Sequence, residues 1–409
     1  MQNSKTFFLC TDSIEHSFAH TEVIQAAAHY QKVVLIVLQK TLLPLPANVN
    51  ELVLSFDDFN AAKVLSQNKI MVGTILSYDI LGRSFNWKYY KTSKNNLNYL
   101  LQSIFLSTKI DAFIQAQKIE VSNSVFVSFW FNTWAIALAV LKKQSKIPAF
   151  FSRAHGTDLF EYRVKITKRI PFRTFQLKWV NKVFSVSKNG ENYLKETYPD
   201  KAQKVGCHYL GTADMGVNNF NPSATFTLVS CATVRNIKRI FLIPEILQQL
   251  NFQVNWIHLG DENLLAPDPT KERYLKNKAA LKAFPKINAE FMGVMSNAQI
   301  FEFYKTTSVN LFISVSETEG LPVSIMEAIS FGIPVMSTDV GGCSEIAMEQ
   351  TGILIPKDFS TEKVAKQITE FNYSDKNTEL FRNKVREFWA STFEVNKNYT
   401  KFFNDLEKL

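Results

Sequence analysis

Short, unbroken apolar runs recur along the chain, and longer mixed stretches separate them. "TFFLC" (6–10) is followed by a predicted helix over Ala19–Tyr30 and then by "KVVLIVL" (32–38). "ELVLSF" (51–56) follows, with a predicted helix from about Asp58. Further on come "SVFVSF" (124–129), "PAFFSRA" (148–154) and "KVFSVS" (182–187), the last leading into a predicted helix near Gly190–Thr197. Runs that are apolar at every position, rather than at alternate ones, suit strands covered on both faces. Strand and helix in alternation predict a parallel sheet with helices on either side.

The pattern breaks at "GTADMGVNNFNPSA" (211–224), whose small polar residues, Asn and Gly read as a linker. A second alternation then begins. "TFTLVSCA" (225–232) precedes a predicted helix near Arg239–Leu250. "QVNWIHLGD", "INAEFMG", "VNLFISVS" and "IPVMSTD" are further predicted strands. The fold class expected is α/β, with two doubly wound, Rossmann-like domains facing a cleft. The expected limits are 1–216 and 217–389, with 390–409 as a last segment. Ligands of such sheets bind beyond the carboxyl ends of the strands.

Val121–Leu141 carries no charge over 21 residues, enough to span a bilayer. Ser122, Asn123, Ser124, Ser128, Asn132 and Thr133 interrupt it, so a strand at 124–129 followed by a buried helix to Leu141 is the preferred reading.

The chain has 409 residues, more than one ordinary core holds. It carries a net charge of +9 and 34 phenylalanines. Its basic residues gather with aromatics in Tyr162–Lys182 and Arg83–Lys94. These segments read either as solvated faces or as a surface that leans on anionic lipid head groups. The cysteines Cys10, Cys207, Cys231 and Cys343 form no CxxC pair, and they read as buried thiols of a reducing compartment. The start, "MQNSKTFFLCTD", has too short an apolar stretch for a signal peptide. The expected location is therefore cytoplasmic, with possible peripheral contact at the membrane.

Candidate chemistry concentrates in "ETEGLPVSIMEAISFG" (317–332). Pro322 is expected at the first position of a helix running to Phe331 and stopped by Gly332. The opening amides, around Val323 and Ser324, offer donors and the positive end of the helix dipole, a place for a diphosphate. Glu327 lies about 7 Å further along at ~1.5 Å per residue. There a carboxylate can accept bonds from the vicinal hydroxyls of a ribose. Glu319 precedes the helix and can meet a hydroxyl of a second sugar. The spacing alone also fits an ordinary strand–loop–helix with solvated glutamates. In "VSCATVRNIKRI" (229–240), Lys238 and Arg235 can reach a pyrophosphate, or they are simply two surface cations at a helix start.

The run "SETEGLPVSIMEAISFGIPVMSTDVGGCSEIA…TGILIP", with "NWIHLGD" and "FMGVMSNAQIFEFY" before it, resembles the signature of retaining glycosyltransferases of the GT-B fold, glycosyltransferase family 4. "FSRAHGTDLF…IPFR…VFSVSKNGENYL" is similar to the acceptor-side half of bacterial polysaccharide enzymes of that family. The resemblance implies that Glu327 binds the nucleotide ribose. Glu319 stands beside the donor sugar and the leaving diphosphate. Lys238 binds phosphate, with Gly320, Leu321, Pro322, Val323 and Ser324 forming the loop beneath it. It also implies that His155 lies near the donor sugar, and that Met292–Val294, with Gly293 at its centre, frames the base. His155 by itself is more often a structural histidine; its place at a strand end before Gly156 and Asp158 favours function. The closing "EVNKNYTKFFNDLEKL" resembles the family's last helix, which implies a return to the first domain.

Two departures stand out. The family often has an arginine five residues before the lysine, where this chain has Thr233, leaving Arg235 as the substitute. The glycine-rich loop after the first strand is missing from "CTDSIEHSF". No Asp-x-Asp occurs, so no metal is expected at the diphosphate and no cofactor is called for. The expectation is a retaining hexosyltransferase using a nucleotide diphosphate sugar, most simply a UDP-sugar, and a glycan or lipid-linked glycan acceptor in surface polysaccharide synthesis. Two other readings stay open. One is a GT-B sugar-nucleotide epimerase or hydrolase. The other is a non-catalytic basic protein that holds nucleic acid or acidic glycans, although no nucleic-acid motif is present.

Overall fold

The computed structural model describes residues 2–15, 17–81, 93–164, 168–262 and 269–409. The chain divides into two compact units, Met1–Leu210 with Asn396–Leu409, and Gly211–Val395.

The first unit is built on seven parallel strands: β1 (Asn3–Cys10), β2 (Tyr30–Val37), β3 (Val49–Val53), β4 (Ser124–Ser128), β5 (Phe151–Ala154), β6 (Lys182–Ser185) and β7 (Val205–Cys207). Their order is β3-β2-β1-β4-β5-β6-β7, so the direction of winding reverses between β1 and β4. The three-residue β7 is too short for a periodic signal. The uncharged segment resolves into β4 and the helix Thr133–Lys143, as expected. Trp134 to Leu141 are all buried, and the Asn132 side chain accepts from the Trp134 amide at 3.3 Å. Among the described residues no helix is long and apolar enough to cross a membrane.

The described part of the Tyr162–Lys182 segment is divided between core and surface, with Tyr162, Lys168 and Lys178 exposed. Phe172, Phe175 and Leu177 belong to the core and Arg173 is 1% exposed, while Lys178 faces water. The other basic segment, Arg83–Lys94, lies outside the described residues apart from the start of the helix Ser93–Ala116. The terminal helix Val395–Glu407 packs within this unit. Phe403 meets the rings of Phe7 and Tyr30 at 5.5 and 5.4 Å. The fully buried Arg153 of β5 stacks on Phe402 and pairs with Glu22 at 3.0 Å.

The second unit has six parallel strands: β8 (Phe226–Cys231), β9 (Val254–Leu259), β10 (Ile287–Phe291), β11 (Leu311–Ser314), β12 (Val335–Thr338) and β13 (Gly352–Ile355). The order β10-β9-β8-β11-β12-β13 places its reversal between β8 and β11. Loops leaving those two strands part to opposite sides of the sheet and leave a crevice, which is where ligands of such sheets bind. Both segments singled out for chemistry, 231–240 and 315–332, leave β8 and β11.

Candidate active site

β8 ends at Cys231, and the chain then makes a 3₁₀ turn, Asn236–Lys238, before the helix Leu242–Leu247. The predicted helix from Arg239 is thus shorter and starts later. Arg239 takes a left-handed backbone, φ 49°, and interrupts it. Lys238 closes a turn and does not open a helix.

Arg239 was passed over in the sequence, and it has a definite task. Its guanidinium donates to the carbonyls of Val315 (2.7 Å), Ser316 (3.3 Å) and Lys357 (3.0 Å). The Glu317 amide donates to the Ile237 carbonyl at 2.7 Å, and the Thr338 hydroxyl to the Ser316 carbonyl at 2.6 Å. The loops after β8 and β11 are thereby joined. The outcome is an ion pair between Lys238 Nζ and Glu319 Oε1 at 2.6 Å, with the two side chains 29% and 12% exposed.

Pro322 is the last residue before the helix Val323–Ser330 and not its first turn. Its carbonyl accepts from the Ile325 and Met326 amides, both at 3.2 Å. Gly320 and Leu321 complete the loop, and the Gly320 carbonyl takes the Gly342 amide at 2.7 Å. The amides of Val323 and Ser324 have no acceptor among the described residues, and both residues are partly exposed. They are open donors at a positive helix end. Gly332, φ +75°, ends this helix as expected.

Glu327 is 7% exposed, and burial pushes its carboxyl up to about 7. Asn297, at the start of the helix Asn297–Thr306, donates to Glu327 Oε1 at 3.2 Å. Cys231 lies in the field of both Glu327 and Lys238; burial raises its thiol to about 12. Cys343 is raised to about 12 in the same way and feels Glu319 and Lys238. Two thiols therefore border the site. The sequence marked them only as buried, because their neighbours come from distant strands.

Arg235 is exposed, and its carbonyl accepts the Lys238 amide at 3.0 Å. Gly293 follows β10, and its carbonyl accepts the Gly260 amide at 2.9 Å, while the Met292 amide donates to the His258 carbonyl. Met292 and Val294 are 46% and 76% exposed, apolar surface at a strand end.

His155 belongs to the first unit, just past β5. It is 6% exposed and lies among Trp130, Phe129 and Phe18, at centroid distances of 4.4, 4.7 and 5.9 Å. Among the described residues neither ring nitrogen has a hydrogen-bond partner. Burial, reinforced by Arg153, pulls its pKa down to about 3, so the imidazole is neutral. Its backbone is held by Asp158, whose carboxylate accepts from the His155 amide (2.6 Å) and the Phe131 amide (2.5 Å). The Arg173 guanidinium donates to the carbonyls of Asp158 and Phe131. This clasp was signalled only by the spacing of His155 and Asp158, that of a helix-start box.

Residues 219–388, which lie within the second unit, match the family Glycosyl transferases group 1. Two Rossmann-like units in tandem, of seven and six strands, give the chain the GT-B fold. The chain is 33% identical over 110 residues to the O-antigen biosynthesis glycosyltransferase WbnH of Escherichia coli; the match takes in 26% of this chain and 31% of WbnH. It thus spans about a third of that curated relative. A glycosyltransferase structure from Rickettsia africae ESF-5 aligns over 99% of this chain and 98% of its own, with TM-score 0.67 and 17% identity. The Anabaena protein Alr3699/HepE, solved in complex with UDP-glucose, aligns over 99% and 100%, with TM-score 0.64 and 12% identity.

Proposed function

We propose that this protein is a retaining glycosyltransferase that moves a hexosyl group from a UDP-sugar to a hydroxyl of a glycan or lipid-linked glycan in surface polysaccharide synthesis. The observation that carries this reading is the Lys238–Glu319 ion pair at the loop before the helix Val323–Ser330, whose first amides have no acceptor among the described residues and which bears Glu327, all within the stretch similar to Glycosyl transferases group 1. The diphosphate would meet Lys238 and the amides, which stabilise the charge that grows on the leaving group as the glycosidic bond breaks. Glu327 would hold the ribose and Met292–Val294 the base. Glu319 would meet the donor sugar, and His155, with its imidazole neutral, is assigned to the sugar as well. Fixed cations and amides act without reorganising, so no metal is assigned a part.

The choice of uridine draws support from the UDP-glucose complex of Alr3699/HepE, and the acceptor class from WbnH being an O-antigen enzyme. The basic first unit is assigned acceptor binding and peripheral contact with an anionic membrane. Arg235 is assigned at most a weak steering role.

The test is a thermal-shift screen of UDP-, GDP- and ADP-sugars, then turnover of the stabilising donor with isolated glycan acceptors, with and without EDTA. Proton NMR reports the anomeric configuration. A UDP-sugar hit, transfer with retention and indifference to EDTA are expected. Conversion of the donor without any acceptor product would favour an epimerase or hydrolase. Inversion or a strict metal requirement would overturn the corresponding part of the reading.

A further inference from the structure

The carboxylate of Glu319 occupies the one ammonium assigned to the donor's diphosphate. Lys238 and Glu319 are 2.6 Å apart and largely withdrawn from water. This pair is not two long surface chains meeting by chance. The Lys238 amide is tied to the Arg235 carbonyl, and the turn that carries it is held to the 315–320 loop by the Glu317–Ile237 and Arg239–Val315 bonds. On the far side the Gly342 amide holds the Gly320 carbonyl. At Gly341, φ +56°, any side chain would overlap the Glu319 carbonyl. The frame imposes the pair from both sides.

We propose that Glu319 is a built-in competitor for Lys238, an internal anion that the nucleoside diphosphate must displace or share. This rests on the donor-site reading above and adds regulation to it. An anion arriving at Lys238 meets a lysine already half neutralised and a carboxylate of its own sign close by. Nucleotide affinity is therefore held below what the lysine and the open amides would give alone. When the sugar has left, its hydroxyls no longer compensate the repulsion between Glu319 and the product, Glu319 competes again for Lys238, and the spent nucleotide departs. While the sugar is attached, its hydroxyls give Glu319 hydrogen-bond donors, so the intact donor is favoured over the product.

The experiment is calorimetric titration of UDP, GDP and ADP into the full chain and into Glu319→Gln, Glu319→Ala, Lys238→Gln and the double variant Lys238→Gln/Glu319→Gln. Circular dichroism and melting temperature confirm folding, and the alanine variant serves if the glutamine variant folds poorly. For the nucleotide that binds wild type, Glu319→Gln is expected to bind about fivefold or more tightly, since like charges at such range repel even in a partly wet site. The gain should shrink with added salt and be clearly smaller in the Lys238→Gln background, where direct repulsion remains but there is no cation to compete for. Turnover of the sugar donor should fall in the same Glu319 variants. Wild-type binding with no gain in either Glu319 variant, or an equal gain without Lys238, overturns the competitor role and leaves the donor site standing. Absence of binding by all three nucleotides overturns the donor site itself.

Discussion

A buried carboxylate with a single neutral donor is an expensive group, and Glu327 is such a group. Burial lifts its pKa from 4.5 to about 7, which means that the fold prefers the protonated form. Whatever this preference contributes to stability is complete below the unfolded pKa and is lost as pH rises through 7. Glu327→Gln keeps the neutral shape. It should therefore melt higher than wild type at pH 8, with a ceiling of roughly 3 kcal/mol, and the difference should close by pH 5. Nucleotide affinity should move the other way and fall about tenfold, because a charge-assisted bond to ribose is worth ~1.5–3 kcal/mol. Calorimetric scans at the two pH values and a nucleotide titration check both halves. Equal melting at pH 8 would mean the carboxyl is wet. The spacing of Glu319 and Glu327 could be read from the chain. The dryness of Glu327 could not, because Asn297 reaches it from a helix 30 positions away.

Strands were the legible elements here, since a run buried on both faces announces itself without its neighbours. β7 and the helix Ser93–Ala116 were not, the first for shortness and the second because its apolar face is diluted by Ser, Asn and Lys. The helix expected from Arg239 is cut short because Arg239 is recruited to carbonyls of another loop, a tertiary demand that local pattern cannot carry. Loop geometry is where the elements become a site, and Gly341 tests it. Alanine there would carry a left-handed backbone costing ~1–2 kcal/mol, and its Cβ would overlap the Glu319 carbonyl. Gly341→Ala should lower stability by about 2 kcal/mol or more in urea titration and abolish turnover. Gly73→Ala is the control. Gly73 is exposed in the helix Lys69–Leu81 with nothing within 4 Å of an added Cβ. That variant should gain ~0.5–1 kcal/mol and leave turnover unchanged. If Gly341→Ala is as stable and active as wild type, the loop does not need this backbone.

At the scale of the whole chain the question is where a net charge of +9 goes. The basic run Tyr162–Lys182 suggested one continuous strip, but folding separates its members: Arg173 turns inward and Lys178 outward. The surface cluster is instead assembled from distant positions. Lys204 is pushed down to about 8 by partial burial and by the charges of Lys142, Lys201 and Lys178, so these four ammoniums crowd one region of the first unit. Lys201 is paired with Asp200 at 2.7 Å and Lys204 donates to the carbonyls of Leu177, Lys178 and Val180, so the cluster is only partly compensated, and an anionic surface would relieve what repulsion remains. A lysine near an anionic bilayer contributes about 1 kcal/mol, falling away within a Debye length. Reversing Lys178 and Lys201 to Glu should then weaken binding to phosphatidylglycerol vesicles by about tenfold or more, while melting temperature and nucleotide binding stay as in wild type. Cosedimentation of wild type should be strong at low salt, weak at 0.5 M salt and absent with phosphatidylcholine alone. Equal cosedimentation with both lipids, or none with either, would leave these lysines as a solvated face and remove the membrane from the proposal.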